Sequence, residues 1–143
     1  MVLETAVEEE LKQTGRTLIV DCHSFPSRPL PCNQDQREPR PGACIGTAEY
    51  HTPEALSRFL VEKIGRQGMA VRINQPYSGT IVPIKHNRRE PRVQSVMIEL
   101  NRSLYMDEKT GKKSAGYPLI EKTIRDILKD LAEFESTGQE AGP

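Results

Sequence analysis

The segment Thr17-Leu18-Ile19-Val20-Asp21-Cys22-His23-Ser24-Phe25-Pro26-Ser27 is an apolar β-type run that delivers an Asp-x-His pair and breaks at once into a proline-rich stretch. Side chains alternate along a strand, so a strand over 17–22 puts Asp21 and His23 on one face and Cys22 on the other. A carboxylate beside an imidazole at a strand's carboxyl end suits a metal ligand with an acidic neighbour, an acid/base pair, or a hydrogen-bonded structural histidine. The position matters because ligands of open α/β sheets gather outside the carboxyl ends of the strands.

Helical and strand patterns alternate around this run. Leu3, Val7 and Leu11 recur every four residues among Glu8, Glu9, Glu10 and Lys12, an amphipathic helix closed by Gly15. From Ser24 to about Tyr50, Pro26, Pro29, Pro31, Pro39 and Pro41 with Arg28, Arg37 and Arg40 exclude a regular element, and the stretch reads as a long loop. Thr52-Pro53-Glu54 then starts a helix, with Thr52 as N-cap and Pro53 at the first helical position. Leu56, Phe59, Leu60 and Ile64 form its buried face, and Gly65 and Gly68 close it. Strands are expected over 69–73 and 80–84, separated by the turn Asn74-Gln75-Pro76-Tyr77-Ser78-Gly79. After a charged loop over 86–91, residues 94–100 form a buried strand carrying Glu99. Pro118 opens a last helix with Ile120, Ile124, Ile127, Leu128, Leu131 and Phe134 at helical spacing. The tail after Glu135 is polar and expected to fray. The pattern predicts an α/β fold with a mixed, mostly parallel sheet, and 143 residues fit a single domain over 1–143.

Lys+Arg and Asp+Glu both number 20, a balance without the basic excess that nucleic acid or a membrane surface favours. No apolar run spans a bilayer, and the three cysteines form no Cys-x-x-Cys, so the chain reads as soluble and cytoplasmic with reduced thiols. Hydrophobic residues make up 36% and Trp is missing, so the core is lean and open to help from a partner.

Glu99 is a carboxylate inside the apolar strand Val96-Met97-Ile98-Glu99-Leu100. Buried, it would have a raised pKa and suit a general base; on a wet face it would point to water, and Arg102 stands close enough in sequence to neutralise it. Asp-x-His on one strand and an acid on another, both at carboxyl ends, sketch a metal-assisted hydrolase. A catalytic zinc takes three protein ligands, and the residues offer one well-placed histidine. His51 lies at a helix entrance, where packing on Pro53 competes with ligation. His86 lies among charges and reads as solvated, while Cys32 and Cys44 lie in the loop without zinc-site spacing.

Asp21-Cys22-His23-Ser24-Phe25-Pro26-Ser27, Cys44-Ile45-Gly46-Thr47, Asn74-Gln75-Pro76-Tyr77-Ser78-Gly79-Thr80 and Met97-Ile98-Glu99-Leu100-Asn101-Arg102-Ser103-Leu104-Tyr105-Met106 resemble, in order and spacing, the N-formylglutamate amidohydrolase family. That family belongs with the zinc carboxypeptidase-like and aspartoacylase-like hydrolases. The resemblance implies a three-layer α/β/α fold around a mixed sheet. It also implies cleavage of a small N-acyl amino acid, formylglutamate to glutamate and formate, late in histidine breakdown. By position it makes His23 the zinc ligand, Asp21 its supporting carboxylate and Glu99 the base for the attacking water. Asn74, Tyr77, Ser78, Gly79 and Thr80 would line the substrate pocket, and Arg102 would brace the strand of Glu99.

The resemblance places the remaining zinc ligands and a substrate-holding arginine ahead of the Asp-x-His strand, where this chain has 16 residues and no histidine. The chain is therefore expected to correspond to the C-terminal part of the family, truncated, with zinc weakly held or absent and activity weak or lost. An uncovered sheet edge would then favour a homo-oligomer. The Asn-Gln-Pro-Tyr-Ser-Gly turn, Ala43 and Ala48 depart from the family pattern and leave the substrate open. The alternative is a non-catalytic α/β binding or assembly domain in which Asp21, His23 and Glu99 make ordinary hydrogen bonds.

Overall fold

The structure, a computed structural model, describes residues 2–136. Helix α1 (Val2–Thr14) presents Val7 inward and ends where Gly15 takes φ +80°, the left-handed conformation that a helix stop needs. Strand β1 (Thr17–Phe25) follows, then β2 (Ala43–Gly46), α2 (Glu54–Gly65), β3 (Val71–Ile73), β4 (Val93–Asn101), a 3₁₀ turn over Arg102–Leu104 and α3 (Tyr117–Ser136). The strand order is β1-β4-β2-β3, with β1 parallel to β4, β2 parallel to β3 and β2 antiparallel to β4. The sheet is mixed and mostly parallel, as the patterning predicts. The frayed tail expected after Glu135 falls chiefly on residues 137–143, outside the described residues.

Register decides what each face of the sheet does. Val96 and Ile98 of β4 align with Val20 and Cys22 of β1 and, on the other side, Ile98 aligns with Ile45. This face meets α2 and α3, where Ala43, Ile45, Leu56, Leu60, Ile64, Val96, Ile98, Ile127 and Leu131 form one buried cluster. The alternate residues face the other way. Ile19 and Val93 pack with Val7 of α1 near the start of β1, with Leu3, Leu11 and Val82 around them. Helices therefore lie on both faces, and α1 covers the beginning of β1 rather than its carboxyl end. β1 is an edge strand, and a cavity of about 770 Å³ runs beside it between α1 and α3, lined in part by Leu3, Val7, Ile19, Leu128 and Leu131.

Three local expectations are corrected. The proline-rich stretch contains β2, a fully buried four-residue strand, and β1 itself continues through Ser24 to Phe25. Residues 80–84 form no strand. Instead the Ser95 hydroxyl donates to the Ile81 carbonyl (2.8 Å) and pairs with Thr80 Oγ1 at 2.7 Å, so this segment is tied to β4 through side chains. Thr52 does not cap α2: its hydroxyl donates to the Ser95 carbonyl (2.6 Å) and accepts from the Ala48 N–H (2.9 Å), while Pro53 occupies the N-cap position.

Candidate active site

The carboxyl ends of β1 and β4 lie side by side in parallel register, with His23 opposite Glu99 and Phe25 opposite Asn101. Residues aligned in this way project from the same face, so the sheet itself brings the imidazole and the acid together. Asp21, two residues back on that face, meets His23 Nε2 through Oδ1 at 2.8 Å and orients the ring. The histidine side chain is 53% exposed, which leaves it open to a ligand.

Glu99 is buried, and its Oε2 atom has no hydrogen-bond partner. Burial pushes its pKa up. The His23 charge pulls it down, Asp21 adds to the rise, and Arg102 and Arg40 oppose it more weakly. A desolvated carboxylate without a hydrogen bond is a stronger proton acceptor than a solvated one, the property a general base requires. On its other side Glu99 aligns with Cys44 of β2, whose thiol donates to the Tyr77 carbonyl (3.1 Å) and whose pKa burial raises.

The other expected site residues occupy distinct places. Arg102 donates from Nε to Ser24 Oγ (3.2 Å) and from Nη2 to the Ser24 carbonyl (3.1 Å), linking the ends of β4 and β1. Tyr77 reaches the same end, its ring 5.9 Å from that of Phe25. Asn74 bonds both ways with Thr47 (2.8 and 2.9 Å) and faces a separate shallow cleft with Asp35 and Arg37. Ser78 is exposed, Gly79 has φ +86°, and Thr80 belongs with Ser95 further back along β4.

Two histidines are accounted for elsewhere. His51 is buried, with Nδ1 donating to the Val93 carbonyl (2.7 Å) and Nε2 accepting the Arg88 N–H (2.8 Å), so it is a structural residue. The expectation that His86 is solvated is corrected: its ring is buried, and Nε2 lacks a partner. Among the described residues no three of His, Cys, Asp and Glu converge as metal donors. With His51 engaged and Cys44 turned to a carbonyl, these donors do not close a zinc site.

The family model for N-formylglutamate amidohydrolase matches residues 2–106. The chain belongs to the N-formylglutamate amidohydrolase family. A solved structure of N-formylglutamate amidohydrolase from Ralstonia eutropha JMP134 is 26% identical and superposes with a TM-score of 0.80, covering 96% of this chain and 50% of the relative. The chain thus spans about half the length of that solved structure. No curated protein matches it. Among the described residues, no helix is long and apolar enough to cross a membrane.

Sequence reasoning missed Arg40, which at 8% exposure is the buried arginine of this end of the sheet. Its Nη1 donates to the Pro26 carbonyl and to Tyr77 Oη (3.3 Å each), and its Nη2 donates to Asn33 Oδ1 and the Asp35 carbonyl (3.1 Å each). The available signal was its place between Pro39 and Pro41, where two fixed φ angles hold the backbone still.

Proposed function

We propose that the His23/Glu99 end of the sheet hydrolyses a linear amide bond in a small N-acyl amino acid, with N-formylglutamate the first substrate to test. The observation that carries this reading is the register itself. It sets a buried, unpartnered carboxylate beside an imidazole already steadied by a second carboxylate. In the reaction Glu99 takes a proton from the attacking water. The water oxygen bonds to the formyl carbon, the carbon–nitrogen bond breaks, and the departing amine nitrogen receives the proton, giving formate and glutamate. His23, held by Asp21, is the residue here that would ligate zinc, the cofactor the family resemblance implies. One imidazole is a weak hold, and no step above depends on it.

The test is formate release from N-formylglutamate by the purified chain with zinc supplied, read beside its zinc content after dialysis. The expected result is measurable release and less than one zinc per chain, with His23→Ala losing the metal. Unchanged zinc in that variant would remove His23 as the ligand. A second reading, a non-catalytic binding domain, is favoured by the single-imidazole donor set and predicts no formate at any zinc concentration.

A further inference from the structure

We propose that the free edge of β1 is a self-association surface, on which a second copy of this chain adds its own β1 antiparallel across a two-fold axis at Ile19. The inference stands apart from the hydrolase reading. Thr17 donates its N–H to the Arg92 carbonyl (2.9 Å) just before β4, so the odd-numbered residues of β1 turn their backbone groups toward β4. Leu18, Val20 and Cys22 therefore turn theirs to the side where the sheet ends. There the Val20 carbonyl meets a long 3.9 Å contact from the thiol of Cys22 in its own strand. The edge strand is nine residues long and carries neither proline nor lysine, the residues that commonly blunt an exposed edge.

The cavity beside this edge fits a strand better than a small molecule. Leu3 and Val7 of α1 line one side, Leu128 and Leu131 of α3 the other, with Leu18, Ile19 and Val20 between them. An apolar ligand would satisfy the walls but bury the outward N–H and C=O groups of Leu18 and Val20 without partners, a cost that an added strand avoids. Such a strand must be apolar on both faces, because one face meets α1 and the other α3. The run Leu18-Ile19-Val20 has that character, whereas β3, the other edge, is three residues long with Arg72 exposed at its centre. A two-fold axis at Ile19 matches the pairs. Ile19 meets its own copy and Leu18 meets Val20, whose outward backbone groups then stand in bonding register. Thr17 falls opposite Asp21, hydroxyl to carboxylate, whereas an axis at Val20 would set Ile19 against Asp21. Val7 packs with Ile19, so the two copies of α1 come together near the axis, where the exposed Ala6 has a side chain small enough for close approach. Gly15 falls opposite His23 and brings no side chain over the imidazole.

The experiment measures the mass of the full chain by light scattering and sedimentation over a dilution series, with amide hydrogen exchange at both ends of it. Twice the chain mass is expected, falling on dilution, and the Leu18 and Val20 amides should exchange more slowly in the concentrated sample. Ala6→Glu puts like charges together at the axis from an exposed helix position, and should raise the dimer dissociation constant at least about tenfold. Arg16→Cys sets a thiol opposite the exposed Cys22 of the second copy, where paired Cα atoms stand about 5.5 Å apart, within disulfide range. Within one chain the same two positions are about 20 Å apart, at roughly 3.3 Å a residue. Oxidised Arg16→Cys should therefore run as a covalent dimer joined at Cys22, and adding Cys22→Ser should abolish the link. A monomer at every concentration, an assembly larger than a dimer, or Leu18 and Val20 amides unchanged by concentration overturns the proposal. So does a dimer that Ala6→Glu leaves as tight as wild type, or an engineered thiol that does not find Cys22. The mass and exchange of the wild type decide the matter even if a variant fails to fold.

Discussion

Glu99→Gln is expected to lower formate release by about 10²–10⁴-fold while making the folded chain more stable at neutral pH. Both effects come from one cause. The carboxylate is buried with an unpartnered oxygen, and burial raises its pKa in the folded state. Folded protein therefore binds this proton more tightly than the unfolded chain does. The group disfavours the fold increasingly as pH rises through the unfolded pKa toward the folded one, and the full cost is felt above both. Glutamine carries no charge to desolvate, so the variant should gain about 1 kcal/mol at pH 7, and the gain should vanish below the unfolded pKa. Denaturant unfolding at pH 7 and pH 3, beside the formate assay, reads both. Unaltered release would remove Glu99 from the chemistry, and a variant less stable at pH 7 would mean the carboxylate has a favourable partner.

Gly46→Ala is expected to destabilise the fold by about 3 kcal/mol, a fall of roughly 10 °C in melting temperature. Gly46 closes β2 opposite Met97, and a Cβ there would fall inside contact distance of the Gly79 carbonyl oxygen and of Met97 Cε and Cβ. Met97 could move its flexible end, but the Gly79 oxygen is backbone and belongs to the turn that carries Tyr77. Relief would thus shift Tyr77 away from Arg40 and Phe25, loosening the substrate end of the sheet as well as the core. A thermal melt within 2–3 °C of wild type, on this scale about 1 kcal/mol or less, would show that the turn yields freely.

The helices were legible because their signals are local. The four-residue spacing in α1 and the Gly15 stop need no knowledge of the rest of the chain, and the apolar repeat of α3 needs none either. Strands depend on what lies beside them. β2 is four residues between Gly42 and Thr47, too short to show alternation, and it is a strand because β4 and β3 flank it. Residues 80–84 have the composition of a strand and no neighbour to pair with. For the site, Asp21 and His23 were readable from alternation along one strand, whereas the pairing of His23 with Glu99 is a fact of register across 76 residues. Arg40 stayed hidden because burial of a loop arginine follows from the rings and carbonyls that fold over it. His86, among charged neighbours, is buried all the same, which the charge of its own segment does not announce.

The most direct check is a ¹³C NMR titration of the Glu99 side-chain carboxyl in the wild-type chain and in His23→Ala. Burial should set the midpoint above the ordinary glutamate value of about 4.3, and removing the His23 charge should raise it further. A midpoint in the ordinary range, unmoved by the loss of His23, would mean that the acid is solvated and that the two residues do not share a site.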